Sequence, residues 1–168
     1  FIHPRKGFSY LLEVYKSLAA CGRTIADVGR RSDQQIEDLK NIRGVTVHGM
    51  VDEDTLINLV SHSKVLVSTS LYEGFGLSLI EALACGHPAF AFDVGAVPEV
   101  LRPIDSDLVI PVTDTAEMVK RIESFLSLSL IERDQRGVLF RKKVSDLWGM
   151  EKAAQELKSL YVQISEGI

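Results

Sequence analysis

The feature that most constrains this chain is an alternation of two periodicities. Short β-branched and apolar runs, Thr24 to Val28, Val45 to His48, Lys64 to Ser68, Ala89 to Phe92 and Leu108 to Val112, are separated by segments with helical spacing. The first segment, Gly7 to Ala20, carries Phe8, Leu11, Leu12, Tyr15, Leu18 and Ala19, and closes on Cys21-Gly22 as a C-cap would. Helical segments follow at Asp33 to Asn41, after the cap Asp52 to about Ser61, at Ser78 to Cys85 and from Pro98 to Leu101. Beyond Val112 helices take over. Thr113-Asp114 caps Ala116 to Leu126, and two more helices cover roughly Leu130 to Val144 and Met150 to Ile164. Strands alternating with helices predict βαβ units, hence a doubly wound α/β fold with a parallel sheet and helices on both faces. One domain, residues 1–168, is expected.

Ligands of such sheets bind beyond the carboxyl ends of the strands. The candidate loops are therefore Gly29 to Asp33, Gly49 to Asp54, Thr69 to Leu77 and Asp93 to Glu99.

Composition removes several alternatives. The net charge is −4 and no Lys/Arg cluster exceeds three residues, so the basic stripe that nucleic-acid backbones require is missing. Arg141, Lys142 and Lys143 read as a solvated helix face. No apolar run approaches the roughly 18 residues of a membrane span and no leader pattern is visible, so a cytoplasmic location is expected. Cys21 and Cys85 lack metal-ligand spacing and read as small buried hydrophobes. His3, His48, His62 and His87 form no ligand set, and no metal or other cofactor is expected. Phe1-Ile2-His3-Pro4 has no initiator Met and enters a helix at once, as if cut near the end of a preceding strand.

The most informative stretch runs from Ser70 to Gly86. Gly74 and Gly76 flank Phe75 just before a helix, where backbone N–H groups and the helix dipole suit a phosphate. It is not a dinucleotide fingerprint, because the third glycine of that pattern would fall at Leu79. Glu81 has only apolar or small neighbours from Leu77 to Cys85, which predicts a helix buried nearly all round and a carboxylate that needs a partner. That partner is either a structural hydrogen-bond donor or a diol such as a ribose. Glu73 precedes it in the loop, and both can face one cavity. A glycosidase-like carboxylate pair fits less well, since one acid would have to be free to protonate a leaving group.

These residues resemble the retaining nucleotide-sugar glycosyltransferases of the GT-B fold, in particular the large fourth family (glycosyl transferases group 1). The resemblance rests on Lys6-Gly7, Val45 to Gly49, Glu73-Gly74-Phe75-Gly76-Leu77, Glu81 to Pro88 and Asp93 to Glu99 in that order, with Leu147-Trp148 similar to the family's closing segment. It implies the Rossmann-like, C-terminal, donor-binding half of the fold. By position, Glu73 would bond hydroxyls of the transferred sugar and Glu81 the ribose. Gly74 and Phe75 would shape the loop, and the N–H groups of Gly76, Leu77 and Ser78 would meet the diphosphate, with Lys6 offsetting its charge. Gly49-Met50-Val51-Asp52 resembles the family's base-facing loop, which brings in Val51. An Arg usually standing five or six residues before the Lys falls on Phe1 or earlier. The resemblance further implies a UDP- or GDP-sugar donor, a glycan or lipid-linked acceptor, and an N-terminal acceptor domain that this chain lacks. Any peripheral contact with the inner face of a membrane would belong to that missing half.

Two other readings remain open. A sugar-nucleotide epimerase of the same architecture would need its own acid/base residues, and a non-catalytic phosphate- or partner-binding α/β module would want an acidic cluster at the first strand end. Glu99 either orients its loop or caps the short helix after it. Trp148, Leu160 and Tyr161 pack the final helices onto this domain or onto a partner domain.

Overall fold

A computed structural model describes residues 6–166. Eight helices and five strands run in the order α1 (Phe8–Ala20), β1 (Ile25–Val28), α2 (Asp33–Lys40), β2 (Val45–Gly49), α3 (Glu53–His62), β3 (Leu66–Ser68), α4 (Leu77–Ala84), β4 (Ala89–Phe92), α5 (Val97–Leu101), β5 (Val109–Ile110), α6 (Thr115–Leu126), α7 (Leu130–Trp148) and α8 (Met150–Glu166), among the described residues. The alternation expected from the sequence is present and every strand pairing is parallel. The last strand is shorter than Leu108 to Val112: a 3-10 turn at Ser106–Leu108 precedes it, and Pro111, which has no N–H to donate, follows its second residue.

The ladder is divided in two. β1 pairs with β2, and β3, β4 and β5 form a separate three-stranded sheet in that order. Helix α1 spans the division. Its Val14 and Leu18 enter the larger core, around Phe92, Ile110, Met118 and Phe140, while its Leu11 and Tyr15 pack with Leu39 and Ile42 under β1 and β2. β4 is buried at all four residues, the mark of a strand covered on both faces, whereas β3 is only half-buried throughout. The larger core therefore lies under β4 and β5, flanked by α4, α6 and α7.

Two expectations about burial need correction. Cys21 is exposed, because it ends α1 as the C-cap rather than facing the core, and Cys85 is half-buried at the end of α4. Helix α4 is not buried all round. Leu79, Ala82 and Leu83 pack inward, but Leu77, Ser78, Glu81 and Ala84 form an exposed strip, with Leu77 65% exposed. An eight-residue helix lying against a sheet and α7 has one face left over, and Glu81 is on it. Arg141 and Lys142 are exposed as expected, but Lys143 donates to the carbonyls of Pro103 and Ile104, and Arg141 to that of Cys85. No helix among the described residues is long and apolar enough to cross a membrane.

Candidate functional site

The loops following β3 and β4 meet the start of α1. Gly7, the N-cap of α1, sits in the left-handed region, and a Cβ there would lie 2.0 Å from the Thr69 carbonyl oxygen. The Thr69 hydroxyl donates to the Gly7 carbonyl at 3.1 Å. Lys6 is thereby held over the loop that β3 feeds, and its Nζ reaches Glu73 Oε2 at 3.3 Å. The lysine side chain is 60% exposed and the glutamate 21%. An ion pair so open to water contributes little stability, so its cation is available to another anion.

Glu73 is fixed from behind. The N–H of Ala96 donates to its carbonyl at 3.1 Å, and the neighbouring Gly95, also left-handed, leaves room for that carbonyl: a Cβ on Gly95 would stand 2.1 Å from it. Glu99 does not cap α5; its N-cap is Ala96 and makes no side-chain bond, while Glu99 lies exposed in the first turn. Asp93, at the end of β4, pairs with Arg102.

Helix starts at the site differ from those of α2, α3, α6 and α7. α2, α3, α6 and α7 are capped by their own side chains, Ser32, Asp52, Asp114 and Ser129. α1, α4 and α5, which begin at the meeting of these loops, have glycine, glycine and alanine at the N-cap and no side-chain cap bond. The amides of Leu77 and Ser78 in the first turn of α4 therefore face no capping side chain, and the positive end of the helix is not offset by a cap.

The structure brings Lys6, Glu73, Gly74, Phe75, Gly76, Leu77 and Ser78 to one place. Glu81 lies one turn into α4 on its exposed strip, with no side-chain hydrogen bond or ion pair among the described residues. Its open carboxylate replaces the buried one expected from its neighbours. Val51 is half-buried after β2, in a loop joined to that after β1 by the N–H of Gly29, which donates to the Gly49 carbonyl at 2.8 Å. Phe75 packs edge-on against Trp148, ring centroids 5.4 Å apart, so Trp148 seats α7 against the site loop. Leu160 and Tyr161 do not join it: both are exposed on α8. His62 and His87 bond backbone carbonyls and His48 is exposed. His3 and Phe1 lie outside the described residues. Among the described residues, no three His, Cys, Asp or Glu side chains gather as a metal site would require.

Sequence reasoning placed Gly95 in the candidate loop Asp93 to Glu99 without giving it a role, and passed over Asp27. Asp27 is 1% exposed at the end of β1, bonded to Tyr15 and Arg31. The signal was there: a carboxylate in the middle of the β-branched run Thr24 to Val28.

Comparison with known proteins bears on the family and the fold. The chain is similar to the N-acetyl-alpha-D-glucosaminyl L-malate synthase of Bacillus anthracis, 29% identical over 112 residues that make up 67% of the chain and 29% of the relative. It is similar to the D-inositol 3-phosphate glycosyltransferase of Streptomyces bingchenggensis, 29% identical over 68% of the chain and 25% of that protein. Among solved structures it superposes on the sucrose-phosphate synthase of Thermosynechococcus elongatus with a TM-score of 0.80 and 28% identity, covering 99% of the chain and 44% of the other. The chain thus spans between a quarter and a half of the length of these relatives, and its architecture is that of one Rossmann-like half of a GT-B fold. The model of the glycosyl transferases group 1 family matches residues 2–138, and the chain belongs to that family.

Proposed function

We propose that this chain is the single donor-binding domain of a retaining glycosyltransferase, which moves a sugar from a UDP- or GDP-sugar to a glycan or lipid-linked acceptor. The observation that carries the reading is the meeting of two uncapped helix starts, α1 and α4, beside the exposed Lys6–Glu73 pair. A diphosphate supplies what those helix ends lack, and the N–H groups of Gly76, Leu77 and Ser78 receive it. Lys6 then shares its charge between Glu73 and the phosphate oxygens, stabilising the negative charge that grows on the leaving diphosphate as the glycosidic bond breaks. No metal is assigned to that task. Glu73, braced by Gly95 and Ala96, accepts hydroxyls of the transferred sugar, and Glu81, one turn away, accepts the ribose diol. Val51 lines the base side. The acceptor comes from an N-terminal domain, and closure of the two halves excludes water and aligns the acceptor for same-face attack within an ion pair. A cytoplasmic enzyme working at the inner face of a membrane through that other half fits this reading.

Titration of the 15N-labelled chain with UDP, GDP and ADP and their sugars tests it. Shifts at Gly76, Leu77 and Ser78 with a uridine or guanosine diphosphate are expected; unchanged spectra at millimolar ligand would overturn it.

A further inference from the structure

Asp27 is a charge that the site just described does not use. It is enclosed, 1% exposed, and its carboxylate accepts three hydrogen bonds: from the Tyr15 hydroxyl at 3.2 Å, from Arg31 Nη2 at 2.7 Å and from Arg31 Nε at 3.0 Å. Burial, reinforced by the adjacent Asp27 charge, pushes the Tyr15 phenol well up, so it stays a donor. Arg31 is only 16% exposed, and its guanidinium lies over the Phe8 ring, 5.9 Å from the centroid. Phe8 opens α1 two residues after Lys6. A buried ion pair is weak evidence of stabilisation, since apolar residues of similar volume serve as well; what it fixes is geometry.

That geometry belongs to two loops. Immediately beyond Asp27 the β1–β2 register shifts, so that Asp27 faces Val47 but Val28 faces Gly49. The N–H of Gly29 then bonds the Gly49 carbonyl at 2.8 Å, which makes the loop after β1 and the loop after β2 one wall. Arg31 stands in the first loop, clamped to β1 through Asp27 and to α1 through Phe8.

We infer that Asp27 and Arg31 are positioning residues that hold this double loop as the wall for the nucleoside part of the donor. The inference rests on the donor-binding reading above. Diphosphate contacts lie at α1 and α4, so the clamp acts on the nucleoside and leaves the phosphates to the other loops. Both are held within the protein: Asp27 is enclosed, and Arg31 gives Nε and Nη2 to it and Nη1 to the Arg30 carbonyl at 3.4 Å.

Calorimetric titration of the chain with UDP, GDP and inorganic pyrophosphate tests the clamp. Arg31→Lys keeps the charge and loses the fork, and the paired substitution Asp27→Leu with Arg31→Met removes both charges while filling the space, so at least one variant keeps the fold by circular dichroism. In folded variants, affinity for the nucleoside diphosphate that the unsubstituted chain prefers is expected to fall about tenfold or more, with pyrophosphate affinity kept within about twofold. Unchanged nucleotide affinity in a folded variant overturns the clamp alone, and so does an equal loss for nucleotide and pyrophosphate. An unsubstituted chain that binds neither overturns the donor-binding reading itself.

Discussion

Two carboxylates, Asp27 in β1 and Glu81 in α4, have opposite fates. Asp27 is enclosed and meets every partner within the fold: a tyrosine hydroxyl and the Nε and Nη2 of an arginine. Glu81 lies on the exposed strip of α4 and meets none among the described residues. Burial of an ion forces the protein to supply the counter-charge, because an unpaired buried carboxylate costs several kcal/mol. Exposure removes that demand and leaves the acceptor sites to water or to a ligand. A carboxylate satisfied by the fold is a brace, and one left unsatisfied beside uncapped helix starts is a place for something else to bind.

The contrast can be broken by substitution. Asp27→Ala should have the largest effect, destabilising the chain by about 3–5 kcal/mol because the buried Tyr15 hydroxyl and the largely covered Arg31 both lose their partner; urea unfolding measures this, and a change below about 1 kcal/mol would remove the brace from the account. Gly95→Ala comes next. A methyl 2.1 Å from the Glu73 carbonyl, on a left-handed residue, must push the loop aside, with an expected cost of about 2–3 kcal/mol and broadened amide signals at Glu73 and Gly74. A variant with unchanged melting temperature and sharp loop signals would show that Glu73 does not depend on Gly95.

Glu81→Ala sharpens the comparison from the other side. Its stability should stay within about 0.5 kcal/mol of the original, as for an exposed residue with no partner, while nucleoside diphosphate affinity falls about tenfold or more. A drop in stability comparable to that of Asp27→Ala would make Glu81 a structural residue instead. The smallest effect concerns the pair Arg23–Glu123, which ties the end of α1 to α6, with Arg23 Nε 2.9 Å from the carboxylate. The hydrogen bonds from Arg23, helped by its charge, hold the Glu123 carboxyl below the usual glutamate range. A depressed folded-state value stabilises above the unfolded value and is lost as pH falls through the folded one. Melting temperatures of Glu123→Gln and the parent should therefore converge below the glutamate range and separate slightly at neutral pH; a constant difference down to acid would exclude the pair as its cause.

Much of this was legible in the residues, for identifiable reasons. β4 reads as Ala-Phe-Ala-Phe and is covered on both faces, and the caps of α3 and α6, Asp52 and Asp114, lie just before the segments they start, whereas the Ser32 and Ser129 caps of α2 and α7 were not read from the sequence. The glycine loop and its two glutamates stood out for the same local reason. What misled was the neighbourhood of Glu81. Apolar neighbours in sequence predict a buried helix only if something covers every side, and Leu77 lies open at 65% exposure. The grip of Gly95 on Glu73 and of Arg31 on Phe8 joins residues 22 or 23 apart in the chain, a distance at which local pattern carries no information.

The sequence alone therefore determined the alternating parallel α/β class, the helix starts and the loop that carries Glu73, because periodicity and capping act over a few neighbouring residues. Tertiary structure alone decided which carboxylate is enclosed and which is open, that Lys6 reaches Glu73 across 67 residues, and that the strand ladder divides beneath α1. Those outcomes depend on how elements distant in the chain pack together, and burial of charge is settled only there.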